Sequence, residues 1–259
     1  MRKTALITGA SGGIGLELAH VHASKGGNLV LVARSLNRLD ALKSDLEMKY
    51  GITVLVIEKD LSLPGAAQEV YNEIKQKNIE IENLINNAGF GDFGMFTETD
   101  WNKEHRMINL NITALTHLTK LYAKEMAGRK SGRIMNVASS AAFQPGPTMA
   151  VYFATKAFVL HFSEAVNEEL KGSGVTVTAL CPGATVSGFQ AAANMADSSL
   201  FKGKKLPSAK EVAQYGYAAM MKGKAVAIHG TLNYLLANSG RFAPRSLVVK
   251  VTRALLRES

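Results

Sequence analysis

The chain has 259 residues, 47% of them hydrophobic and 20% charged, with 23 Gly, 6 Pro and a single cysteine, Cys181. That balance excludes a disordered or low-complexity chain, and one cysteine excludes an intrachain disulfide framework or an all-cysteine zinc site. The formal net charge of +9 is uneven: residues 1–199 hold 19 Lys+Arg against 19 Asp+Glu, whereas residues 200–259 hold 11 against 2. A neutral body with a basic end points to an anionic partner near the C-terminus, or to a solvated face that keeps the chain soluble. Nucleic acid is not expected, because the basic region carries no recognition motif.

Met1-Arg2-Lys3 imitates the basic start of a signal peptide. The apolar run Ala5-Leu6-Ile7 behind it is far too short for the hydrophobic region, and no stretch approaches a membrane span. The expectation is a soluble cytoplasmic protein in a reducing compartment.

In chain order, short runs rich in Val, Ile and Leu fall at Thr4–Ile7, Asn28–Ala33, Ile52–Ile57, Asn83–Asn86, Arg133–Ala138, Val175–Cys181 and Ala225–Ile228. Most lack polar alternation, as strands buried on both faces of a parallel sheet do. Helical spacing fills the gaps at Ile14–Lys25, Leu36–Tyr50, Pro64–Lys77, Trp101–Ala127, Val151–Lys171 and Ala209–Lys222. Asp100 reads as an N-cap and Pro64 as a first helical residue. The alternation predicts an α/β fold: a single doubly wound domain over 1–259, with about seven mostly parallel strands and helices on both faces. Two segments break the rhythm. Residues 182–207 read as a long loop serving the substrate. The segment 241–258 is basic, with Leu247, Val251 and Leu255 at helical spacing among Lys250, Arg253 and Arg257; it could lie on a membrane interface or pack on its own domain or a second subunit.

Residues 4–15 run from a strand through a glycine-rich turn into a helix beginning near Ile14, with Gly9, Gly13 and Gly15 spaced G-x-x-x-G-x-G around Ser11. A dinucleotide pyrophosphate needs this close backbone approach and the free N–H groups of a helix N-terminus. The same residues match a G-x-S-x-G nucleophile elbow, but that elbow requires strands upstream and only eight residues precede Gly9. A Walker phosphate loop fails for want of the Gly-Lys-Ser/Thr ending. At the end of the second strand, Ala33 stands where an NAD-reading carboxylate is expected, followed by Arg34 and Ser35. The arginine favours a 2′-phosphate, hence NADP(H) over NAD(H), unless it is only a solvated residue at a strand end. Gly12 is not basic, so a second phosphate-facing cation is not expected.

Tyr152 and Lys156 lie four apart and share a helix face, with Ser139 just after the fifth strand. A free phenol, pKa about 10, is a poor proton donor and acceptor at neutral pH; burial pushes that value higher, and a nearby ammonium lowers it. Ser139 can bond a substrate oxygen. Taken alone, such a pair is mostly surface decoration.

With the motifs in this order, the sequence resembles the short-chain dehydrogenase/reductase family over most of residues 4–190. Thr8–Gly15 is similar to its cofactor turn, Asp60-Leu61 to its adenine contact, and Asn86-Asn87-Ala88-Gly89 to its fourth-strand motif. Asn111 resembles the asparagine of its proton relay, although Asn109 lies two residues away. Ser139, Tyr152 and Lys156 match its catalytic set, and Pro182-Gly183 its nicotinamide turn. Where the family often has threonine, this chain has Ser187, with Thr185 two residues earlier. The resemblance implies a Rossmann-like fold and hydride exchange between NADP(H) and a carbonyl or alcohol. In it, Tyr152 moves the proton, Ser139 holds the oxygen, and Lys156 lowers the tyrosine pKa and binds the ribose. It also implies a homo-oligomer, dimer or tetramer, through Trp101–Ala127 and Val151–Lys171.

Phe90, Phe93, Met95, Phe143, Met149, Phe189 and Met195 follow strands four, five and six, where ligands enter such sheets. They point to an apolar carbonyl substrate, met at or near a membrane surface if the basic end binds lipid. An epimerase or dehydratase on the same scaffold, or a non-catalytic NADP-binding protein, are the alternatives. The six histidines form no metal constellation.

Overall fold

The computed structural model describes residues 2–188 and 206–256. Among them, seven strands form one parallel sheet: β1 (Thr4–Thr8), β2 (Asn28–Ala33), β3 (Val54–Glu58), β4 (Asn83–Asn86), β5 (Gly132–Val137), β6 (Val175–Cys181) and β7 (Val226–Ile228). The order is β3-β2-β1-β4-β5-β6-β7, with every pairing parallel. The chain winds outward from β1 to β3, then returns to lay β4 on the other side of β1. A crevice opens at that switch point, at the carboxyl ends of the strands.

The helices are α1 (Gly13–Ala23), α2 (Leu36–Tyr50), α3 (Ala66–Gln76), α4 (Trp101–Ile108), α5 (Leu115–Gly128), α6 (Ala150–Glu169), α7 (Ala209–Met221), α8 (Thr231–Ser239) and α9 (Arg245–Leu255). One face of the sheet is covered by Leu18 and Ala19 of α1, Leu39, Leu42 and Leu46 of α2, and Val212 and Met220 of α7. On the other face, Val70 and Ile74 of α3 pack with Leu118, Tyr122 and Met126 of α5. Strands buried on both sides explain the unbroken apolar runs in the sequence. A buried polar stitch ties α1 to α7, where His22 Nδ1 lies 2.9 Å from the Tyr217 hydroxyl and Nε2 lies 3.1 Å from the Lys3 carbonyl.

Asp100 caps α4 as expected, accepting from the Asn102 N–H at 3.0 Å. Three local expectations shift. Pro64 is not the first residue of α3: Gly65, at φ +79°, takes a left-handed turn and the helix starts at Ala66. The helix expected as one piece over Trp101–Ala127 contains a π-turn at Asn109–Ala114, between α4 and α5. The helix expected from Leu247 begins at Arg245; Leu247 and Val251 of its stripe are exposed, Leu255 is exposed at the edge of a cleft, and Thr252 and Leu256 pack inward. Phe189, Met195, Arg257, most of the 182–207 loop and the end of the 241–258 segment lie outside the described residues.

Candidate active site

The crevice is a cleft of about 600 Å³. Its floor at one end is the turn between β1 and α1. Gly9 sits at φ +67°, and a Cβ there would stand 2.8 Å from Asn87 Nδ2. Gly15 is not in the cleft wall; it is a packing glycine, whose Cβ would meet Asn87 Nδ2 and the Gly9 carbonyl at 2.4 Å. Asn87 holds this turn by donating to the Thr8 carbonyl at 2.9 Å and to the Gly9 carbonyl at 3.2 Å. The Thr8 hydroxyl in turn accepts from the Asn87 and Ala88 N–H groups, each at 3.0 Å. The ends of β1 and β4 are thereby locked side by side.

Ser11, Gly12, Gly13 and Ile14 line the cleft, and a Cβ on Gly12 would meet nothing within 4 Å. No side chain caps α1 and no acid stands in its first turn, so its N-terminal N–H groups face the cleft with the positive end of the helix dipole. This cradle fits a dinucleotide pyrophosphate.

Arg34 is exposed just past β2, while Arg38, one turn into α2, joins the cleft wall beside Ser11 and Gly13. A guanidinium at the cleft is thus supplied by α2 rather than by the glycine turn. The four-residue spacing of Arg34 and Arg38 on a helix start was the available signal. Ser35 is the N-cap residue of α2, without a side-chain cap bond. Asp60 lies outside the cleft wall, bonded to Ser62 Oγ at 2.7 Å and to Arg106 Nη2 at 2.6 Å. Burial raises its carboxyl pKa, but the Ser62 hydrogen bonds and the charges of Arg106 and Arg34 outweigh that and hold it below the usual carboxylate range. Leu61 is buried in the core beside α3.

The other end of the cleft gathers Ser139, Tyr152 and Lys156 with Ala88 and Gly89. Ser139 Oγ accepts from the Ala141 N–H at 3.1 Å, which fixes it at the start of a short helical turn after β5. Lys156 is 5% exposed; its ammonium donates to the Val137 carbonyl at 2.8 Å and stands 5.8 Å from the centre of the Tyr152 ring. The pair shares one helix face, as the spacing requires.

The electrostatics depart from the expected lowering of the phenol. Burial pushes Tyr152 up to about 12, with the Ser139 hydrogen bond acting the other way, and drives Lys156 down to about 8. Desolvation penalises both charged forms, and the ammonium is occupied by a main-chain carbonyl. In this state the tyrosine is a neutral O–H, ready to donate.

Asn111 is buried in the π-turn and lies outside the cleft wall. Its Nδ2 donates to the Phe90 carbonyl and to Thr155 Oγ1, each at 3.0 Å, and its Oδ1 accepts from the Phe90 N–H at 3.2 Å. It ties the loop after β4 to α6. Asn109 is only half-buried, near His105 at 3.5 Å, which separates the two asparagines.

After β6, Pro182 and Gly183 line the cleft, and Asn233 of α8 packs so closely on Gly183 that a Cβ would meet its Nδ2 at 2.4 Å. Thr185 donates back to the Gly183 carbonyl at 2.9 Å. Ser187 lies across the cleft against the glycine turn, 3.4 Å from where a Gly13 Cβ would stand.

Sequence reasoning missed the outer wall: Thr252, Leu255 and Leu256 come back from α9, and Leu256 packs with Met107, Met149, Tyr152 and Phe153. Of the expected apolar rim, Met149 lines the cleft, and Phe90 and Phe93 pack behind it. Phe143 joins a separate cluster, and Met95 is exposed.

A parallel α/β sheet with a glycine cradle at its switch point and a Ser/Tyr/Lys set across the same cleft defines a nucleotide-binding enzyme scaffold. Residues 3–198 match the family model described as short chain dehydrogenase, and the chain belongs to that family. It is 33% identical over 186 residues to mouse 17-beta-hydroxysteroid dehydrogenase type 3, covering 70% of this chain and 60% of that protein. It is 39% identical over 179 residues to a very-long-chain 3-oxoacyl-CoA reductase of Pyrenophora tritici-repentis, covering 67% of this chain and 52% of that one. The matches thus span about half to three fifths of these curated relatives. Among solved structures, a short-chain dehydrogenase from Sphingobium yanoikuyae in complex with NADPH superposes with a TM-score of 0.83. It is 34% identical, with 93% of this chain and 94% of that one covered.

Proposed function

We propose that this chain is an NADP(H)-dependent reductase of an apolar ketone, able to run in reverse as an alcohol dehydrogenase. The observation that carries the reading is the convergence of Ser139, Tyr152 and Lys156 on the cleft that also holds the glycine cradle. Arg34 and Arg38 supply two guanidiniums where the adenosine 2′-phosphate would sit, and Ala33 supplies no competing carboxylate. The NADPH-bound relative supports that choice. Gly9, Ser11, Gly13 and Ile14 would hold the pyrophosphate with Ser187, while Ala88, Gly89, Pro182, Gly183 and Thr185 would flank the nicotinamide. Asp60 and Leu61 would serve the adenine from outside the cleft wall.

When bound, NADPH supplies the hydride. Tyr152, neutral because burial raises its pKa, donates its proton to the carbonyl oxygen as negative charge grows there. Ser139 donates a hydrogen bond to the same oxygen and stabilises that charge. Lys156 would bind the ribose hydroxyls and replenish the phenol's proton. Asn111, in the π-turn, would link Lys156 to solvent through a water and so continue that relay.

Met149, Phe153, Leu255 and Leu256 make the substrate end apolar. The hydroxysteroid and very-long-chain acyl relatives support a bulky, apolar ketone as substrate. A homo-oligomer through the α4–α5 segment and α6 belongs to the same reading, supported by Phe158 of α6, 40% exposed and stacked on Phe162. NADPH oxidation measured against a panel of steroid ketones and long-chain 3-oxoacyl thioesters tests it. One alcohol formed per NADPH consumed is expected. Turnover of substrate without net NADPH consumption would instead assign an epimerase or dehydratase.

A further inference from the structure

One large surface is left unused by the chemistry. From Thr231 to Leu256 the chain forms α8, a short turn at Gly240–Phe242, and α9, and these touch the body along a thin line. Ala237, Thr252 and Leu256 are its buried residues. Leu232, Leu235, Leu236, Phe242, Leu247 and Val251 are exposed, Phe242 to 91%. Exposed apolar side chains at this density are unusual on a monomer's surface. Arg241, Arg245, Lys250 and Arg253 stand among them, also exposed. Between Glu211 and Glu258 the sequence contains no Asp or Glu at all.

We propose that α8 and α9 form a docking face for an anionic lipid bilayer, with the apolar side chains sunk into the headgroup boundary and the guanidinium and ammonium groups paired with lipid anions. Charge selects this occupant. A second copy of the chain, seated on the same face by a two-fold axis, would bring two sets of cations together with no carboxylate from this stretch to pair with them. An anionic bilayer accepts the apolar and the cationic groups at once.

The face is continuous with the site. The inner side of α9 is the outer wall of the cleft, through Thr252, Leu255 and Leu256. Asn233 of α8 rests directly on Gly183. Resting on the reading of an apolar substrate, the same geometry lets a ketone pass from the bilayer under α9 to Tyr152 without crossing water.

The test is co-sedimentation of the full chain with phosphatidylcholine vesicles and with mixed phosphatidylcholine–phosphatidylserine vesicles, at low and high salt. Two variants are compared: Leu235→Asp/Leu247→Asp, and Arg241→Gln/Arg245→Gln/Lys250→Gln/Arg253→Gln. All these positions are exposed, and the NADPH affinity and melting temperature of each variant report that the fold is kept. Binding to the anionic vesicles that weakens with salt is expected. The charge variant should bind on the order of a thousandfold more weakly, each of the four cations near an anionic surface contributing separately. The leucine variant should lose binding in both salts. No binding to anionic vesicles, or binding that neither variant changes, overturns the proposal. A lipid-free dimer that the leucine variant dissociates also overturns it and assigns the face to subunit contact. Vesicle binding does not depend on turnover, so a chain that binds vesicles but reduces no ketone refutes the enzymatic reading alone.

Discussion

Lys156→Met tests whether the active-site ammonium is held at the expense of the fold. Burial moves that lysine from 10.5 to about 8. At 1.36 kcal/mol per pKa unit, this corresponds to about 3 kcal/mol of destabilisation in the state without nucleotide. The folded protein binds fewer protons than the unfolded chain between these values, so the cost is fully present below pH 8 and fades as pH rises through 10.5. Methionine fills a similar volume without charge, but it leaves the Val137 carbonyl without its 2.8 Å donor, a loss of about 1–2 kcal/mol. The net gain at pH 7 is about 1–2 kcal/mol, or roughly 2–8 °C in melting temperature for a chain of this size. At pH 10 the remaining cost is under about 1 kcal/mol and the variant should be no more stable than the wild type. Thermal unfolding of both proteins at the two pH values, followed by circular dichroism, measures this. The comparison cancels the change in overall charge, which affects both alike. A variant less stable than wild type at pH 7, or a difference independent of pH, would refute the reasoning.

Two further outcomes follow from the same geometry. Arg34→Ala/Arg38→Ala should raise the KM for NADPH by one to two orders of magnitude, as expected when charged hydrogen bonds of about 1.5–3 kcal/mol are lost, and leave the KM for NADH nearly unchanged; initial rates with both cofactors decide it. In the reductive direction kcat/KM should fall about tenfold per pH unit above about 8, as Lys156 loses its proton while Tyr152, raised to about 12, keeps its own. Alcohol oxidation, which needs the phenolate, should rise with pH over the same interval, and an identical profile in both directions would contradict the assignment.

The glycine turn, the Tyr152/Lys156 pair and the strand–helix alternation were legible because each is a local pattern with a physical requirement: close backbone approach, one helix face, burial on two sides. What escaped depends on distant parts of the chain. The π-turn at Asn109–Ala114 interrupts a periodicity that reads as one unbroken helix, and only the buried bonds of Asn111 to Phe90 and Thr155 distinguish it from Asn109. Asp60 was legible as a polar residue after β3, but its partner Arg106 lies 46 positions away. The packing of Leu256 beside Tyr152 is a tertiary return that no local pattern encodes. The pattern of Tyr152 and Lys156 gave both burial and the ammonium as opposing influences on the phenol; that burial dominates both pKa values depends on the tertiary packing around them.

The central claim is that Tyr152 delivers the proton to a ketone reduced by NADPH. Single-turnover oxidation of NADPH by a steroid ketone, compared between the wild type and Tyr152→Phe, tests it most directly. The variant should bind NADPH within about twofold of wild type and lose on the order of 10²–10⁴ in rate, the range of a lost general acid. A variant that turns over at the wild-type rate would contradict the mechanism.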